Sequence, residues 1–175
     1  MLFRSAPGVQ VNPIINMAGG HSFNQVVFDN VKVPKENLVG ELNDGWRVGM
    51  TVLNFERSGI DYVGWARRAL NEIIEWLSND DCPIDFSGQY SEVRSRIAEL
   101  DTEVQSARFM CYDVAWRQGR GDIPIAEASM SKLSATEAYV AVLNYGLELL
   151  GMYGSLEPGS EDSELQGRFL KMRLF

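Results

Sequence analysis

The 175-residue sequence has only two cysteines and one histidine, and it lacks any long apolar run. Cys82 and Cys111 form no CxxC pair, so nothing indicates a disulfide framework or requires an oxidising compartment. A single histidine, His21, excludes most zinc sites and the paired Glu-x-x-His sites of di-iron bundles. Because no apolar run approaches about 18 residues, we expect no transmembrane helix. Residues 1–8 do not read as a secretory signal, so we expect a cytoplasmic protein.

Basic residues are also few, with 16 Lys plus Arg against 24 Asp plus Glu and a net charge of −8. Affinity for phosphate backbones comes mainly from clustered Lys and Arg, so we expect no nucleic-acid partner. No G-x-S-x-G motif accompanies His21, which argues against a Ser-His-Asp hydrolase. The remaining composition, 45% hydrophobic and 23% charged, is typical of a globular protein.

Residues 1–42 contain three of the six prolines and several turn glycines. Alternating apolar residues predict short strands over residues 9–15 and 25–33. Two or three strands alone bury too little surface to be stable, so this part resembles the end of a larger β-domain.

After Asn43-Asp44-Gly45 the apolar spacing changes to three or four residues, which predicts helices. We expect one long helix over residues 46–77, a second from Tyr90 to about residue 118, and an alanine-rich third from near Pro124 to about residue 150. A further helical pattern covers residues 163–175. The predicted fold is mainly α, an up-down helical bundle over residues 43–175 preceded by the short β-segment of residues 1–42.

Five segments in order along the chain resemble the acyl-CoA dehydrogenase family. They are FNQVVFDNVKVPKENLVGE at residues 23–41, Gly45-Trp46, Phe55-Glu56-Arg57, ASMSKLSATE at residues 128–137 and LGMYG at residues 150–154. The ordered series is far more specific than any one segment. It implies that the chain holds the last strands of the family's middle β-domain and most of its C-terminal helical domain, as an incomplete chain.

The resemblance implies a flavoprotein, with FAD as cofactor, that oxidises an acyl-CoA thioester to the 2,3-enoyl-CoA. A glutamate removes the α-proton while the flavin accepts hydride from the β-carbon. An electron-transfer flavoprotein or similar acceptor is the implied partner, and a homo- or hetero-oligomer is expected. The family's Arg-x-x-Phe-Gly segment, associated with the flavin of a neighbouring subunit, does not match residues 82–88, so no cofactor-binding residue is named.

Glu56 is the candidate catalytic base. In a continuous helix its neighbours three and four residues away would be Val52, Leu53, Gly59 and Ile60, an apolar patch that would make the carboxylate a stronger proton acceptor. A carboxylate that merely borders a buried face is the alternative from the residues alone. Family members place this glutamate either at this position or in a later segment that the sequence lacks, so the resemblance implies Glu56.

The neighbours of Glu56 are candidates for substrate binding. The resemblance implies that Arg57 lies by the thioester and meets coenzyme A, with a helix-surface pair to Asp61 as the alternative. Phe55 is a candidate for contact with the substrate, although Trp46, Phe55 and Trp65 are expected mainly in the core. The competing function is a non-catalytic helical subunit or interaction module that assembles with a complete acyl-CoA dehydrogenase.

Overall fold

The computed structural model describes residues 5–79 and 87–156. The chain divides into two compact units, one ending at Gly49 and the other starting at Met50. Residues 80–86 and 157–175 lie outside the described part. The predictions for Cys82, for the acidic cluster Asp80, Asp81 and Asp85, and for a helix over residues 163–175 therefore fall outside it.

The first unit contains a two-stranded antiparallel hairpin of β1 (Val9–Ile14) and β2 (Phe23–Phe28). Val9 pairs with Phe28 and Ile14 with Phe23. The connecting turn is held by Asn16, whose Oδ1 accepts hydrogen bonds from the amides of Ala18 and Gly20 at 3.1 and 2.8 Å. Asparagine often stabilises a turn in this way, because its short side chain reaches backbone amides two to four residues ahead.

The predicted second strand was wrong at its C-terminal end, because β2 stops at Phe28 and does not continue to residue 33. Asn30 has a φ of 50°, in the left-handed region that asparagine tolerates better than most residues. A residue in that conformation cannot extend a strand. A short 3₁₀ turn over Lys35–Asn37 then leads toward the helices.

Four α-helices follow in the described residues: α1 (Gly45–Glu56), α2 (Ile60–Leu77), α3 (Tyr90–Gly119) and α4 (Ile125–Leu150). The mainly α fold and the up-down bundle that the sequence predicts are confirmed. None of these helices has both the length and the apolar character needed to cross a bilayer.

The prediction of one continuous helix over residues 46–77 was wrong. The helix ends at Glu56, and α2 begins at Ile60. Gly59 between them has a φ of 71°, a left-handed conformation that commonly ends helices and that glycine adopts without a Cβ clash.

The core of the second unit lies where α2, α3 and α4 pack together. Its largest fully buried side chains include Leu70, Ile73, Leu100, Val142 and Leu143. Over the N-terminal part of α4, from Ala128 to Val142, the buried positions are mostly small, which favours close approach of neighbouring helices. These positions are Ala128, Ser131, Ala135, Ala138 and Val142.

The aromatic residues expected in the core are exposed. Trp46 is 83%, Phe55 52% and Trp65 47% accessible, so that prediction was wrong. On α2 the buried face passes through Val63 and Ala66. Trp65 lies one residue off that face, which is about 100° around the helix axis.

Candidate functional site

The candidate site is the turn between α1 and α2. Glu56 is the last residue of α1, and Arg57, Ser58 and Gly59 form the turn. The amide of Ser58 donates to the carbonyl of Glu56 at 2.9 Å, which bends the chain sharply immediately after the carboxylate. The Glu56 side chain is exposed, whereas Arg57 and Ser58 are half-buried.

Gly59 allows the turn to lie directly on α4. A Cβ at Gly59 would stand 3.2 Å from the Cα of Lys132 and 3.4 Å from the Cβ of Ala135. The turn is also bonded to α4, because the Ser131 hydroxyl donates to the carbonyl of Ser58 at 2.9 Å. The residues that follow α1 are therefore placed by a helix more than 70 positions later in the sequence.

A pocket of about 210 Å³ opens beside this turn. Its walls carry two carboxylates, two cations, one aromatic ring, one leucine and one glycine: Leu53, Glu56, Arg57, Gly59, Asp61, Tyr62 and Lys132. Across residues 5–79 and 87–156, the ion pairs do not include Glu56, Arg57, Asp61 or Lys132. Four charged side chains therefore line a small pocket without belonging to a described ion pair. Because their charges are available to a bound molecule, the pocket is suited to a polar ligand.

One wall of the pocket is a cation resting on an aromatic ring. The Nζ of Lys132 lies 3.4 Å from the centroid of the Tyr62 ring, within the range of a cation–π contact. Tyr62 packs edge-on against Trp65, with ring centroids 5.1 Å apart, and also contacts Tyr139. Burial raises the pKa of the Tyr139 hydroxyl, so this supporting ring stays neutral at ordinary pH. The aromatic cluster thus holds the lysine at the pocket wall.

The structure brings together two of the three residues selected from the sequence. Glu56 and Arg57 line the same pocket, whereas Phe55 is not among its lining residues. The sequence reasoning did not select Asp61, Tyr62 or Lys132 for a site. The available signal was Lys132 itself, the one cation in the ASMSKLSATE segment, whose other residues are mostly small and uncharged.

Two local expectations about Glu56 and Arg57 were wrong for one reason. The apolar surroundings of Glu56 and the Arg57–Asp61 pair both assumed a continuous helix, in which residues four apart share a face. The helix ends at Glu56, so the pocket wall near its carboxylate includes Arg57, Asp61 and Lys132. Glu56 is exposed and does not lie in the apolar patch that the continuous helix predicted.

The pocket does not fit a complete flavin cofactor. Pockets that enclose ligands of that size have volumes of roughly 300–1,000 Å³, and this one measures about 210 Å³. A pocket whose lining includes a carboxylate and two cations suits instead the polar end of a smaller group, such as a carbonyl beside an acidic C–H bond. The described residues of the pocket are therefore suited to a small polar group and not to a whole flavin.

The structure thus defines an up-down helical bundle with a carboxylate, outside the described ion pairs, at the turn between two of its helices. The chain belongs to the acyl-CoA dehydrogenase family. Residues 43–175 match the family model described as "Acyl-CoA dehydrogenase, C-terminal domain".

Individual relatives agree with this assignment. The chain is 30% identical over 156 residues to a glutaryl-CoA dehydrogenase of Desulfococcus multivorans, covering 86% of the chain and 40% of that protein. It is 27% identical over 140 residues to the caffeyl-CoA reductase-Etf complex subunit CarC of Acetobacterium woodii, covering 79% and 37%. A solved glutaryl-coenzyme A dehydrogenase in complex with glutaryl-CoA superposes with a TM-score of 0.83 at 27% identity, covering 97% of this chain and 43% of that one. The chain thus spans about two fifths of the length of these relatives.

Proposed function

We propose that the chain takes part in the FAD-dependent α,β-dehydrogenation of an acyl-CoA thioester. In this reaction Glu56 is the base that removes the α-proton. The observation that carries the proposal is the Glu56 carboxylate, which lies at the end of α1 on a small pocket and belongs to none of the described ion pairs. A carboxylate that is not engaged by a cation keeps its lone pairs available for a substrate proton.

Arg57 and Lys132 complete the proposed site. Removal of an α-proton places negative charge on the thioester carbonyl oxygen, and two cations at the same pocket would stabilise that charge. Arg57 presents a fork of donors for the thioester or coenzyme A, and Lys132 presents a point charge held against Tyr62. Phe55, half exposed at the end of α1, is proposed to contact the acyl group from outside the pocket.

FAD, when bound, supplies the acceptor for the hydride that leaves the β-carbon. Because the pocket is too small for a flavin, we propose that the flavin platform is built mainly by other parts of the protein. We further propose that residues 1–42 are the last strands of a middle β-domain and that residues 43–175 form the C-terminal helical domain.

The proposed partners follow from the family. An acyl-CoA thioester is the substrate, and an electron-transfer flavoprotein or similar acceptor reoxidises the flavin. CarC, by its name a subunit of an Etf complex, supports this choice of acceptor. The buried free thiol of Cys111 suits a reducing compartment, and we propose a cytoplasmic location.

The test is Glu56→Gln in the flavin-loaded protein that carries these residues. Glutamine keeps the shape of the side chain and cannot accept the proton. Reduction of the flavin by a good acyl-CoA substrate should slow by roughly 10²-fold or more, the usual scale for loss of a general base. Flavin content and thioester binding should stay within about twofold of wild type.

Two matched variants make the result specific. Glu75→Gln removes an exposed carboxylate on α2 outside the pocket and should leave the rate unchanged. Asp61→Asn removes the second carboxylate of the pocket and should have a much smaller effect than Glu56→Gln. A wild-type rate for Glu56→Gln would reject the proposed base. If the chain then also copurified with a complete acyl-CoA dehydrogenase, the non-catalytic subunit would be the correct function.

A further inference from the structure

Ser131 is a fully buried polar residue in the core of the second unit, with 0% exposure. Its Oγ lies 2.9 Å from the carbonyl oxygen of Ser58 and 3.1 Å from the Sγ of Cys111. Ser131 is on α4, Cys111 is on α3, and Ser58 is in the turn after α1. One hydroxyl therefore ties two core helices to the turn that carries Glu56 and Arg57.

The direction of the two hydrogen bonds follows from the chemistry of the groups. A carbonyl oxygen can only accept, and a hydroxyl has a single hydrogen, so the Ser131 hydroxyl donates to Ser58. The Cys111 thiol must then donate its S–H to the Ser131 oxygen. Burial raises the pKa of Cys111, which keeps the thiol protonated and able to donate. The chain of donors runs from Cys111 through Ser131 to the Ser58 carbonyl.

We propose that Ser131 is a positioning residue, which locks the turn between α1 and α2 and thereby sets the placement of Glu56 and Arg57 at the pocket. Without its hydroxyl, the Ser58 carbonyl loses its described side-chain donor on α4. Gly59 adds no side chain that could hold the turn, and its φ of 71° is supported by contact with α4. We call the hydrogen bond from Ser131 to the Ser58 carbonyl the lock. The effect of the lock on catalysis rests on the proposed function of Glu56, whereas its effect on the turn does not.

The lock is tested by proteolysis under native conditions. Trypsin cleaves after arginine, so opening of the turn exposes the Arg57–Ser58 bond, and the cleavage rate follows the population of the open form. In Ser131→Ala, cleavage at Arg57 should rise by about tenfold, equivalent to about 1.4 kcal/mol in the opening equilibrium. Cleavage at Arg94, an exposed residue on α3, should not change and serves as the internal reference.

Ser129→Ala is the matched control. Ser129 is on the same helix, two residues away, and its hydroxyl donates to the carbonyl of Ile125 within α4 at 2.8 Å. Its removal should leave cleavage at Arg57 at the wild-type rate. Ser131→Thr restores a hydroxyl and should bring protection back to within about twofold of wild type, even if the added methyl lowers the melting temperature. Cys111→Ala keeps the Ser131 hydroxyl and should have a smaller effect than Ser131→Ala.

Three results would overturn the proposal: unchanged cleavage in Ser131→Ala, parallel increases at Arg57 and Arg94, or a threonine variant no better protected than the alanine variant. A kinetic arm addresses the consequence for Glu56. In the flavin-loaded protein, Ser131→Ala should lower the maximal rate of flavin reduction by about tenfold with little change in thioester affinity. If Glu56→Gln proves to have the wild-type rate, the proposed base fails while the proteolysis result still decides the lock.

Discussion

Gly59 lies directly against Lys132, so that even one added methyl group at Gly59 would make a tight contact with α4. A Cβ at Gly59 would stand 3.2 Å from the Cα of Lys132, and the φ of 71° at Gly59 is one that residues with side chains adopt at a cost. The turn that ends α1 and the helix that carries Lys132 therefore depend on each other.

The first prediction concerns this contact. Gly59→Ala should lower the free energy of unfolding by about 1–3 kcal/mol, because it adds both backbone strain and a contact with α4. Gly64→Ala is the control, since Gly64 is exposed in α2 and no atom lies within 4 Å of its Cβ position. That variant should gain about 0.5–1 kcal/mol from higher helix propensity. Urea unfolding of both variants measures the difference, and equal effects would contradict the assignment of Gly59 to a constrained turn.

The second prediction concerns Arg57. Replacing it by glutamine should weaken binding of a coenzyme A thioester by about tenfold or more, the scale of a lost charge-assisted hydrogen bond. Isothermal titration calorimetry on the flavin-loaded protein measures this. Arg68→Gln removes an arginine that pairs with Glu72 at 3.0 Å outside the pocket and should leave affinity unchanged. Equal losses for the two variants would indicate a general charge effect and would count against a specific contact.

The third prediction concerns the core. Leu100 is fully buried on α3, and Leu100→Ala should cost about 2–5 kcal/mol of stability through lost burial and the cavity left behind. Leu133 on α4 is 62% exposed, and its replacement by alanine should change stability by no more than about 0.5 kcal/mol. Urea midpoints for the two variants should therefore differ widely, and similar midpoints would show that α3 is not packed as described.

The fourth prediction concerns pH. Burial raises the pKa of Cys111 above its ordinary value of 9.0, so the folded protein holds the thiol proton more tightly than the unfolded chain does. Above about pH 9 unfolding releases that proton, and the free energy of unfolding should fall as pH rises. Tyr139 and Tyr145, whose pKa values burial also raises above 10.0, add to the decline at still higher pH.

Cys111→Ala separates the thiol from the tyrosines. The variant should show a shallower loss of stability between about pH 8 and pH 10 than the wild type, because the two tyrosines titrate mainly above this range. Urea unfolding at several pH values measures the slopes. Identical slopes would mean that the thiol is not buried in its protonated form.

The fifth prediction concerns association. Phe109, Tyr112 and Trp116 lie on one face of α3 at spacings of three and four residues and are 62%, 53% and 59% exposed. An exposed aromatic face of this kind favours contact with another protein surface. Light scattering should show that the chain associates at micromolar concentration. Trp116→Ser should reduce the average mass, whereas Met152→Ser, at an exposed residue in the turn after α4, should not.

The regular spacing of apolar residues correctly predicted α3 and α4, the helices whose structure depends mainly on their own sequence. The heptad-like spacing from Val93 to Val114 predicted α3, and the positions from Leu100 onward in that pattern are buried. The start of α4 at Pro124 was predicted to within one residue. In these helices each turn contributes to the same buried face, so local pattern and tertiary packing agree.

The break at Gly59 could not be read from the same pattern. The spacing of three or four residues continues from Val52 through Gly59 to Tyr62 without interruption. This pattern therefore gives no sign that the helix ends before Gly59. Its conformation depends on contacts with Ser131 and Lys132, which are more than 70 residues away in the sequence. Glu56 and Arg57 could be named because of the family resemblance, whereas the lysine opposite them required the packing of α4 on the turn.

The small buried face of α4, formed by Ala128, Ser131, Ala135, Ala138 and Val142, constrains how this domain can change over evolution. These residues recur every three or four positions, and α4 packs against both α2 and α3. A larger side chain there would press on a neighbouring helix, so a tolerated enlargement would need a compensating reduction on that helix. Over evolution, residues on this buried face should therefore be replaced slowly and together with residues on the neighbouring helices. Residues on the exposed faces of α4 should be replaced faster.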